Sequence, residues 1–534
     1  MSSKPGINYF TNKTVKEVAF LVAIFAFSLA VRAIGIKHGF PLLTHPDEAL
    51  IFDRVFNMTL ARTLNPGNFN RPNQILYLIN FFYLNFLSYL RFGENFANAF
   101  HKYYLSFYAY SRFLISVFGS MIPIVAYKIG KEFKPKFGVP AALVFTLFPS
   151  YVMHSLFITP DILITLFTLL VMYFTIQYLN RQEEYLLNIA VIFAAINTAE
   201  KYPGLISLGI VFLGIILNAV DHPDHSLRKS FRSIFRKSLK ATLLFIFILF
   251  LVAPYLFIEY EAVIKAIIVE SGPTHLGADN LGWLGNLWFY VTAFSSWVNM
   301  LAFVFIGFGL YAMIKWRKAS SLLLLYGILY WIILSALSLH WERWALPMYI
   351  TPLFLIAVGI NFLLIKVNNH RLLKWVATFF LTVFFTLQLI TTVHTSIRMT
   401  FTDTREVALN YCNEMGITAE NSLFEGYTPL QPQHPKTIFN EYEEITYDIR
   451  YIVLSSSMFG RYYREPNVYE REILIYEDIR NNNSLLARFE PDMLEENLFN
   501  ELNDIMFYLS HIFKSNSEKR LEGPIIEIYQ VVNR

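Results

Sequence analysis

The hydrophobic pattern along the chain consists of long apolar runs separated by short polar connections. A membrane-crossing helix needs about 20 apolar residues. Runs of suitable length predict crossings at 17–36, 105–127, 138–154, 160–178, 186–200, 203–220, 241–258, 286–314, 320–339, 345–365 and 374–397. The pattern therefore predicts a mainly α-helical, polytopic membrane protein with about eleven transmembrane helices.

The polar connections alternate between two kinds. Basic connections are expected in the cytoplasm by the positive-inside rule, and they are the N-terminus, 128–136, the turn at Arg181, 228–240, 315–318 and 366–374. The other connections carry acidic and histidine residues, and they are 45–48, 154–161, 200–204, 259–285, 340–344 and the tail from residue 398. Eleven crossings place every basic loop inside. They predict a plasma-membrane protein whose N-terminus is cytoplasmic and whose tail is extracytoplasmic.

Residues 72–90 are also apolar enough to span a membrane. A crossing there would move the later basic loops to the outside. The Tyr and Phe content of this segment and the flanking Arg71 and Arg91 favour an interfacial or re-entrant segment. We therefore predict a long first external loop over residues 37–103.

The last part of the chain changes in composition. From Phe401 onward 23 acidic and 12 basic residues give a net charge of −11, whereas the rest of the chain carries +15. Patterns typical of helices and strands occur at 404–416, 451–454, 469–481, 493–513 and 525–531. We predict a transmembrane domain over 1–397 and a small soluble extracytoplasmic α/β domain over 398–534.

Composition excludes several other classes of protein. Hydrophobic residues make up 55% of the chain and charged residues 16%, against about 25% charged in soluble domains. Cys412 is the only cysteine, which excludes an intrachain disulfide and a cysteine-based metal site. The sequence contains no Walker A loop, GxGxxG in strand context, HExxH or CxxC motif. The sequence therefore shows no cytosolic nucleotide-binding site.

Asp47 and Glu48 are the first candidates for chemistry, because they follow His45-Pro46 where the first external loop leaves the membrane. One carboxylate is suited to act as general base on an acceptor hydroxyl, and the other to bind substrate or metal. The alternative is that Asp47 only caps an interfacial helix.

Further polar residues lie at the same predicted face. Asp161 follows Thr159-Pro160 at the start of a span. Its functional interpretation is a second acid, a metal ligand or an acceptor contact. The structural alternative is an N-cap of the helix. His154 is either a site residue or a hydrogen-bonded structural histidine. Arg112 lies inside the second span and must pair with an acid or a phosphate.

Two cations mark outer membrane boundaries. Lys201 lies in Glu200-Lys201-Tyr202-Pro203, and Arg343 lies in His340-Trp341-Glu342-Arg343-Trp344. They are suited to binding the phosphate of a leaving group, although cations at such positions also snorkel to the interface. His275 lies in a Gly/Pro-containing loop that is suited to ordering over a bound lipid.

The chain resembles GT-C glycosyltransferases of the dolichyl-phosphate-mannose–protein mannosyltransferase type, which include lipid A aminoarabinose transferases. The resemblance is carried in order by the motifs THPDE (44–48), YSRFLISVFGSMIPIVAYKIGKEF (110–133), FPSYVMHSLFITPDILITLF (148–167), AEKYPGLI (199–206), SGPTHLG (271–277), HWERWALPMYITPLFLI (340–356) and DTREVALNYCNEMG (403–416).

This resemblance implies inverting transfer of a hexose or pentose from a polyprenyl-phosphate carrier to a lipid, glycan or protein acceptor, with no nucleic-acid partner. It implies that Asp47 is the base, Glu48 assists substrate binding and Asp161 is the second acid. Arg112, Lys201, His275 and Arg343 become candidates for the lipid phosphate, and His154 and Tyr202 are further candidates for substrate binding. A divalent metal at Asp47 and Asp161 is compatible with this scheme but not required. The short acidic tail departs from eukaryotic members and favours a prokaryotic enzyme of cell-envelope glycan or protein glycosylation.

Two other hypotheses remain at this point. A transporter or flippase for a polyprenyl-linked substrate would place ionisable groups near mid-membrane with access to both sides, whereas the predicted clusters lie at one face. A non-catalytic assembly subunit with the same fold would be expected to lack the acids.

Overall fold

The structure is a computed structural model that describes residues 12–220, 227–270, 281–315, 319–337, 339–444, 448–492, 497–514 and 519–532. The described residues up to Arg398 are mostly helical. The helices there are α1 (Asn12–Ile34), α2 (Pro46–Ala61), α3 (Gln74–Phe92), α4 (Phe96–Phe133), α5 (Gly138–Thr146), α6 (Pro149–His154), α7 (Asp161–Arg181), α8 (Glu184–Glu200), α9 (Ile206–Val220), α10 (Leu227–Val252), α11 (Tyr255–Ile258), α12 (Tyr260–Glu270), α13 (Gly282–Ser295), α14 (Leu301–Ile314), α15 (Ala319–Ser335), α16 (Leu346–Val367) and α17 (Arg371–Arg398). Short 3₁₀ turns occur at Pro135–Phe137, Tyr202–Leu205 and Glu342–Ala345.

Helices occupy all eleven predicted spans, and three spans are built from consecutive helices, α5 with α6, α10 with α11, and α13 with α14. Within the described residues, seven helices are by length and composition able to cross a membrane, and they are Thr14–Ile34, Gln74–Phe92, Phe96–Phe133, Asp161–Arg181, Tyr202–Val220, Glu342–Val367 and Arg371–Arg398. Because α3 is one of these seven and several predicted spans are shorter, the number of eleven crossings stays a prediction.

The two kinds of connection separate to opposite ends of the helix bundle. At one end, the Lys131 ammonium near the end of α4 bonds Glu17 of α1 at 2.6 Å, and Arg181 at the end of α7 pairs with Glu132 at 3.0 Å. At the other end the loops that carry acidic and histidine residues meet. The alternation predicted from loop charge therefore corresponds to a spatial separation of these loops.

Helix α3 lies at the end that holds the acidic loops. The Asn73 N–H just before it donates to the Glu200 carbonyl at the end of α8 at 2.8 Å. Near its other end the Phe92 ring stacks on Tyr103, with centroids 4.0 Å apart. Since Tyr103 lies close to the start of α4, helix α3 runs beside the first part of α4 at this end, where an interfacial segment would lie.

Helix α16 runs through the centre of the bundle and is in close contact with α14. A Cβ added at Gly309 would overlap the Leu355 carbonyl, and one at Gly359 would overlap the Phe305 carbonyl. Small residues of this kind let membrane helices approach closely. The tight contact fixes α16 against α14, and the turn that carries Arg343 directly precedes α16.

The tail forms a small α/β region. Its helices are α18 (Thr404–Met415), α19 (Phe439–Glu443), α20 (Ser456–Tyr462), α21 (Glu470–Asn482) and α22 (Leu498–Lys514), and its strands are β1 (Thr402–Asp403), β2 (Ser422–Phe424), β3 (Tyr451–Ser455), β4 (Ser484–Phe489), β5 (Leu521–Glu522) and β6 (Ile526–Gln530). One sheet has the order β2-β3-β6-β4, parallel between β2 and β3 and otherwise antiparallel. The strands β1 and β5 pair in parallel.

Local signals in the tail explain its elements. The Asp403 carboxylate accepts the Arg405 N–H at the start of α18, and Gly416 ends that helix with φ of 66°. A left-handed residue just past the last turn is the usual helix stop, and glycine adopts it without strain. In the central strand pair, Val453 lies opposite Ile528 and both are buried. The predicted α/β character of the tail is confirmed, while its boundary as a separate domain stays a prediction.

Candidate active site

Asp47 and Glu48 occupy the first turn of α2, directly after Pro46. Proline fits the first helical position because the N–H that it lacks has no partner there. Carboxylates in the first turn interact favourably with the positive end of the helix dipole. Adjacent residues do not share a face of a helix, so the two carboxylates point in different directions.

Glu48 points into the protein and is fully buried. Its carboxylate accepts two bonds from Arg112, at 2.9 Å from Nε and 2.6 Å from Nη2, and a third from the Ile158 N–H at 3.0 Å. The Arg112 Nη1 donates to the carbonyls of Ile36 and His38 at 2.9 and 2.8 Å. Although burial alone would raise the pKa of Glu48, the charge and bonds of Arg112 hold it well below its usual value.

Asp47 lies at the partly exposed side of the site, which is its opening, and its side chain is 21% exposed. One oxygen accepts a bond from Arg71 at 3.0 Å, and the other accepts a bond from Arg343 Nη1. Burial alone would raise the pKa of Asp47, but the charges of Arg343 and Arg71 lower it well below the usual value. Within the described part of the chain, the buried Nε–H of Arg343 has no hydrogen-bond partner.

Asp161 and Lys201 form a second ion pair at this end of the bundle. Asp161 begins α7, and its carboxylate accepts a bond from the Lys201 ammonium at 2.8 Å. The ammonium also lies 5.9 Å from the centre of the Trp344 ring, beside Arg343 in the sequence. The charge of Asp161 also acts on Arg343 through space. The structure therefore brings Asp47, Arg343, Asp161 and Lys201 into one cluster.

Two histidines border this cluster from either side of Phe157. The His45 ring lies 4.4 Å and the His154 ring 6.1 Å from the Phe157 ring centre. Burial lowers the pKa of His45. Among the described residues, the buried Nε2 of His154 has no hydrogen-bond partner.

Glu200 and Tyr202 attach the segment between α2 and α3, and the start of α3, to the bundle. The Glu200 carboxylate is fully buried and accepts the Leu76 N–H at 2.9 Å. The Tyr202 hydroxyl donates to the Phe69 carbonyl at 2.6 Å. These bonds hold the loop that carries Arg71 close to Asp47.

The predictions for Arg112, for His275 and for a metal ion have different outcomes. All the bonds of Arg112 given above go to Glu48 and backbone carbonyls, which leaves this guanidinium away from the opening of the site. His275 lies outside the described residues. Asp47 and Asp161 each pair with cations, and the described ranges contain no group of three or more His, Cys, Asp or Glu arranged for a metal ion. A resident divalent metal therefore does not fit this arrangement of donors.

Arg71 is the main site residue that sequence reasoning missed. In the sequence it only flanks an apolar segment, 24 residues from its partner Asp47. A flanking arginine is typical of any interfacial helix, so nothing in the local pattern marks Arg71. Its contact with Asp47 depends on the fold of the segment between α2 and α3.

An apolar groove starts beside this cluster and follows the bundle between α9 and α15. It has a volume of about 420 Å³. Its walls include Tyr202, Pro203, Ile206, Leu213, Leu334 and Leu337. Because Tyr202 directly follows Lys201, one wall residue of the groove is the chain neighbour of a residue in the charged cluster.

Residues 109–258 match the family described as dolichyl-phosphate-mannose-protein mannosyltransferase. This stretch includes Arg112, Asp161 and Lys201. A search of curated protein sequences found no match.

Solved structures extend the comparison to most of the chain. The crystal structure of ArnT from Cupriavidus metallidurans in the apo state superposes with a TM-score of 0.53 at 12% identity, covering 89% of this chain and 97% of that one. The Archaeoglobus fulgidus oligosaccharyltransferase, in a complex with Zn and sulfate, superposes with a TM-score of 0.51 at 13% identity, covering 87% and 71%. The chain has the GT-C fold.

The predicted GT-C resemblance is thus confirmed by the family match over 109–258 and by the fold over most of the chain. The predicted fold class is confirmed as well, since a mainly helical membrane part precedes a small α/β tail. Together with its long apolar helices, the GT-C fold makes the chain a multi-pass membrane protein.

Proposed function

We propose that this GT-C protein is an inverting glycosyltransferase that moves a sugar from a polyprenyl-phosphate carrier to an acceptor hydroxyl or phosphate on the extracytoplasmic face. The observation that carries the proposal is the position of Asp47. This carboxylate is partly exposed between Arg71 and Arg343, beside the Asp161–Lys201 pair. The cluster therefore combines a candidate base with cations for an anionic leaving group.

The apolar groove supports a lipid-borne donor. A polyprenyl chain is apolar and needs a hydrophobic path, which the groove between α9 and α15 offers. The lipid phosphate would then lie near Lys201 at the head of the groove. The matched family, named for dolichyl-phosphate-mannose, supports the same class of donor.

Arg343 is the best candidate for the phosphate ligand. Only its Nη1 bonds Asp47, and its Nε–H has no partner in the described part of the protein. A guanidinium can bind two phosphate oxygens at once. Stabilising the charge that develops on the phosphate as the glycosidic bond breaks would supply much of the rate enhancement.

In the proposed reaction Asp47 takes the proton of the acceptor hydroxyl. The acceptor oxygen then attacks the anomeric carbon from the face opposite the phosphate, as inversion requires. The bond between the anomeric carbon and the phosphate oxygen breaks, and its electron pair leaves on the polyprenyl phosphate. The products are the glycosylated acceptor, the lipid phosphate and protonated Asp47.

The same ion pair controls the basicity of Asp47. While Arg343 and Arg71 hold its pKa low, Asp47 is a weak base. A donor phosphate that draws Arg343 toward itself weakens this ion pair and raises the pKa of Asp47. The base therefore becomes active when the donor is bound.

Glu48 and Arg112 receive positioning roles in this proposal rather than contact with substrate. Their buried pair connects α2, α4 and the loop at Ile158, which fixes the direction of Asp47. Asp161 is assigned to orienting Lys201 through their ion pair. His154, with its unpartnered Nε2 in the described structure, is assigned to a polar group of the sugar.

The proposal includes a topology with the N-terminus in the cytoplasm and the tail outside. It is supported by the separation of basic and acidic loops to opposite ends of the bundle, because basic loops stay in the cytoplasm. A tag after Arg534 should therefore react with a membrane-impermeant reagent in intact cells, and reaction only after lysis would contradict the topology.

The function is tested by feeding labelled polyprenyl-phosphate sugars to membranes and following label into lipid, protein and polysaccharide fractions. Asp47→Asn should reduce transfer by roughly 10²–10⁴-fold, the usual contribution of a general base. Asp53→Asn is the matched control, since Asp53 is an exposed carboxylate on the same helix. Equal transfer by the wild type and Asp47→Asn would remove Asp47 as base. No transfer by the wild type into any fraction would favour a flippase.

A further inference from the structure

Helix α22 packs against the last turns of α17 with its polar side facing inward. The Thr391 hydroxyl donates to the Glu501 carboxylate at 3.1 Å. One turn further, His394 and Asp504 are bonded at 2.8 Å, and both side chains are buried. The polar groups of α22 are thus used in contacts with the membrane part.

The opposite side of α22 is apolar and exposed. Phe499 is 72% exposed and Met506 is 65% exposed. The whole stripe recurs at helical spacing and comprises Leu498, Phe499, Leu502, Met506 and Leu509. A helix on a water-soluble domain buries its apolar stripe and turns its polar face outward. Helix α22 has the reverse orientation, which lowers the free energy only where the surroundings are apolar.

The position of α22 along α17 indicates what those surroundings are. The contacts advance in the same direction on both helices, from Glu501 beside Thr391 to the Phe507 ring 6.4 Å from that of Phe401. Thr391 lies seven residues before the end of α17 at Arg398, or about 10 Å along the axis at 1.5 Å per residue. The start of α22 is therefore level with a stretch inside a helix that is long and apolar enough to cross the membrane.

At the height where α22 begins, α17 still exposes apolar surface. Leu389 lies one turn or less from the contact between Thr391 and Glu501 along the axis, on another face of α17, and it is exposed. The exposed stripe of α22 begins at the same height and extends toward the tail. The bilayer that covers α17 would therefore also cover Leu498, Phe499 and Leu502.

We infer that α22 is a monotopic membrane helix, which returns from the tail into the bilayer surface and lays its apolar stripe into the hydrocarbon of the adjacent leaflet. The partner of this surface is the lipid bilayer. The polar face of α22, which carries Glu501 and Asp504, avoids lipid by bonding to α17, as expected for a helix at the membrane interface. The helix holds the tail at a fixed distance from the site.

The inference is tested on the full chain in liposomes by site-directed spin labelling. In a Cys412→Ser background, labels are placed at Phe499→Cys and Met506→Cys. Leu474→Cys is the matched control, because Leu474 is an exposed apolar residue on α21 in the same tail. Collision rates with oxygen, which partitions into lipid, are compared with those of a water-soluble nickel chelate.

The labels at 499 and 506 should have higher collision rates with oxygen than with the nickel chelate. The ratio of these rates should be larger at 499, because this position is expected to lie deeper in the bilayer. The label at 474 should show the opposite ratio. Nickel access at 499 equal to that at 474 would place the stripe in water and overturn the inference. An immobilised label protected from both reagents would mean that a protein covers the stripe, which would also overturn it.

A second measurement does not depend on labels. Phe499→Asp should lower the thermal unfolding temperature of the chain in liposomes, whereas Leu474→Asp should leave it unchanged. Equal unfolding temperatures for the two variants would contradict a lipid contact at Phe499. Neither residue belongs to the candidate active site, so failure of this test leaves the proposed function untouched.

Discussion

Two neighbouring carboxylates in the first turn of α2 lie in opposite environments. Glu48 and Arg112 both have fully buried side chains. Asp47, Arg71 and Arg343 have side chains that are 21%, 32% and 22% exposed. Both carboxylates have pKa values below their usual range, so lowered pKa alone does not separate the candidate base from its neighbour.

The difference lies in what each ion pair leaves available. The bonds of Glu48 and Arg112 go to each other and to the backbone, which joins α2 to α4 and to the loop at Ile158. Asp47 shares its charge with two cations at the opening, and the Nε–H of one of them is unpartnered in the described structure. The comparison indicates that a closed ion pair stabilises the fold and that an open one is available for substrate.

The largest expected effect is the loss of stability when the buried Glu48–Arg112 pair is broken. Glu48→Gln leaves Arg112 buried without a counter-charge, which should cost about 3–5 kcal/mol. Asp47→Asn should cost about 1 kcal/mol or less, because its partners are partly exposed. Thermal unfolding in detergent micelles measures both. The comparison would break down if the two variants lost equal stability, and Glu48→Gln with Arg112→Gln should recover part of the loss.

A second prediction concerns Arg343, whose Nε–H has no partner in the described structure. Arg343→Gln should reduce sugar transfer by roughly 10²–10³-fold, comparable to losing one donor that stabilises transition-state charge. Arg71→Gln should reduce it less, since Arg71 is assigned only to Asp47. Steady-state kinetics with a polyprenyl-phosphate sugar measures this order. A larger loss for Arg71→Gln would reassign the phosphate to Arg71.

The Asp161–Lys201 pair is an intermediate case, with side chains 3% and 12% exposed. Asp161→Asn removes a charged bond of 2.8 Å and should cost about 1.5–3 kcal/mol of stability. Because the variant leaves Lys201 without its partner, adding Lys201→Met should restore part of the stability. Denaturation of the single and double variants gives this coupling, and simple additivity would show that the pair acts as two independent residues.

The smallest effect concerns Glu425, a buried carboxyl in the tail that bonds to the Ser455 N–H and the Tyr476 hydroxyl rather than to a cation. Burial raises its pKa from 4.5 to about 8. The unfolded chain ionises first, so the folded state loses relative stability as pH rises from 4.5 toward 8. Between pH 6 and 7.5 this contribution should fall by about 2 kcal/mol.

Glu425→Gln should remove that contribution, because a glutamine does not titrate. The pH dependence of thermal unfolding in the variant should therefore be flatter than in the wild type between these pH values. Parallel profiles would mean that Glu425 is ionised in the folded protein, like Glu48. The measurement thus contrasts a buried carboxyl that bonds a cation with one that does not.

Much of the fold follows from local pattern. Helix α18 was predictable because Asp403 and Gly416 mark its ends, and the central strands of the tail follow from short apolar, β-branched runs. The candidate site was predictable only as a set of residues at one face. Asp47, Asp161, Lys201 and Arg343 were named from loop positions, whereas their pairing depends on contacts such as Arg343 with Asp47, 296 residues apart.

The amino-acid sequence by itself determined which segments are apolar, which loops share a charge and therefore which residues gather at one end of the bundle. These properties depend on side-chain chemistry and on periods of a few residues. Only the tertiary structure decided that Glu48 is enclosed and Asp47 open, that Arg71 belongs to the site and that α22 turns its apolar stripe outward. The physical reason is that burial and ion pairing depend on neighbours far away in the chain, and no local pattern specifies which of two adjacent carboxylates meets which cation.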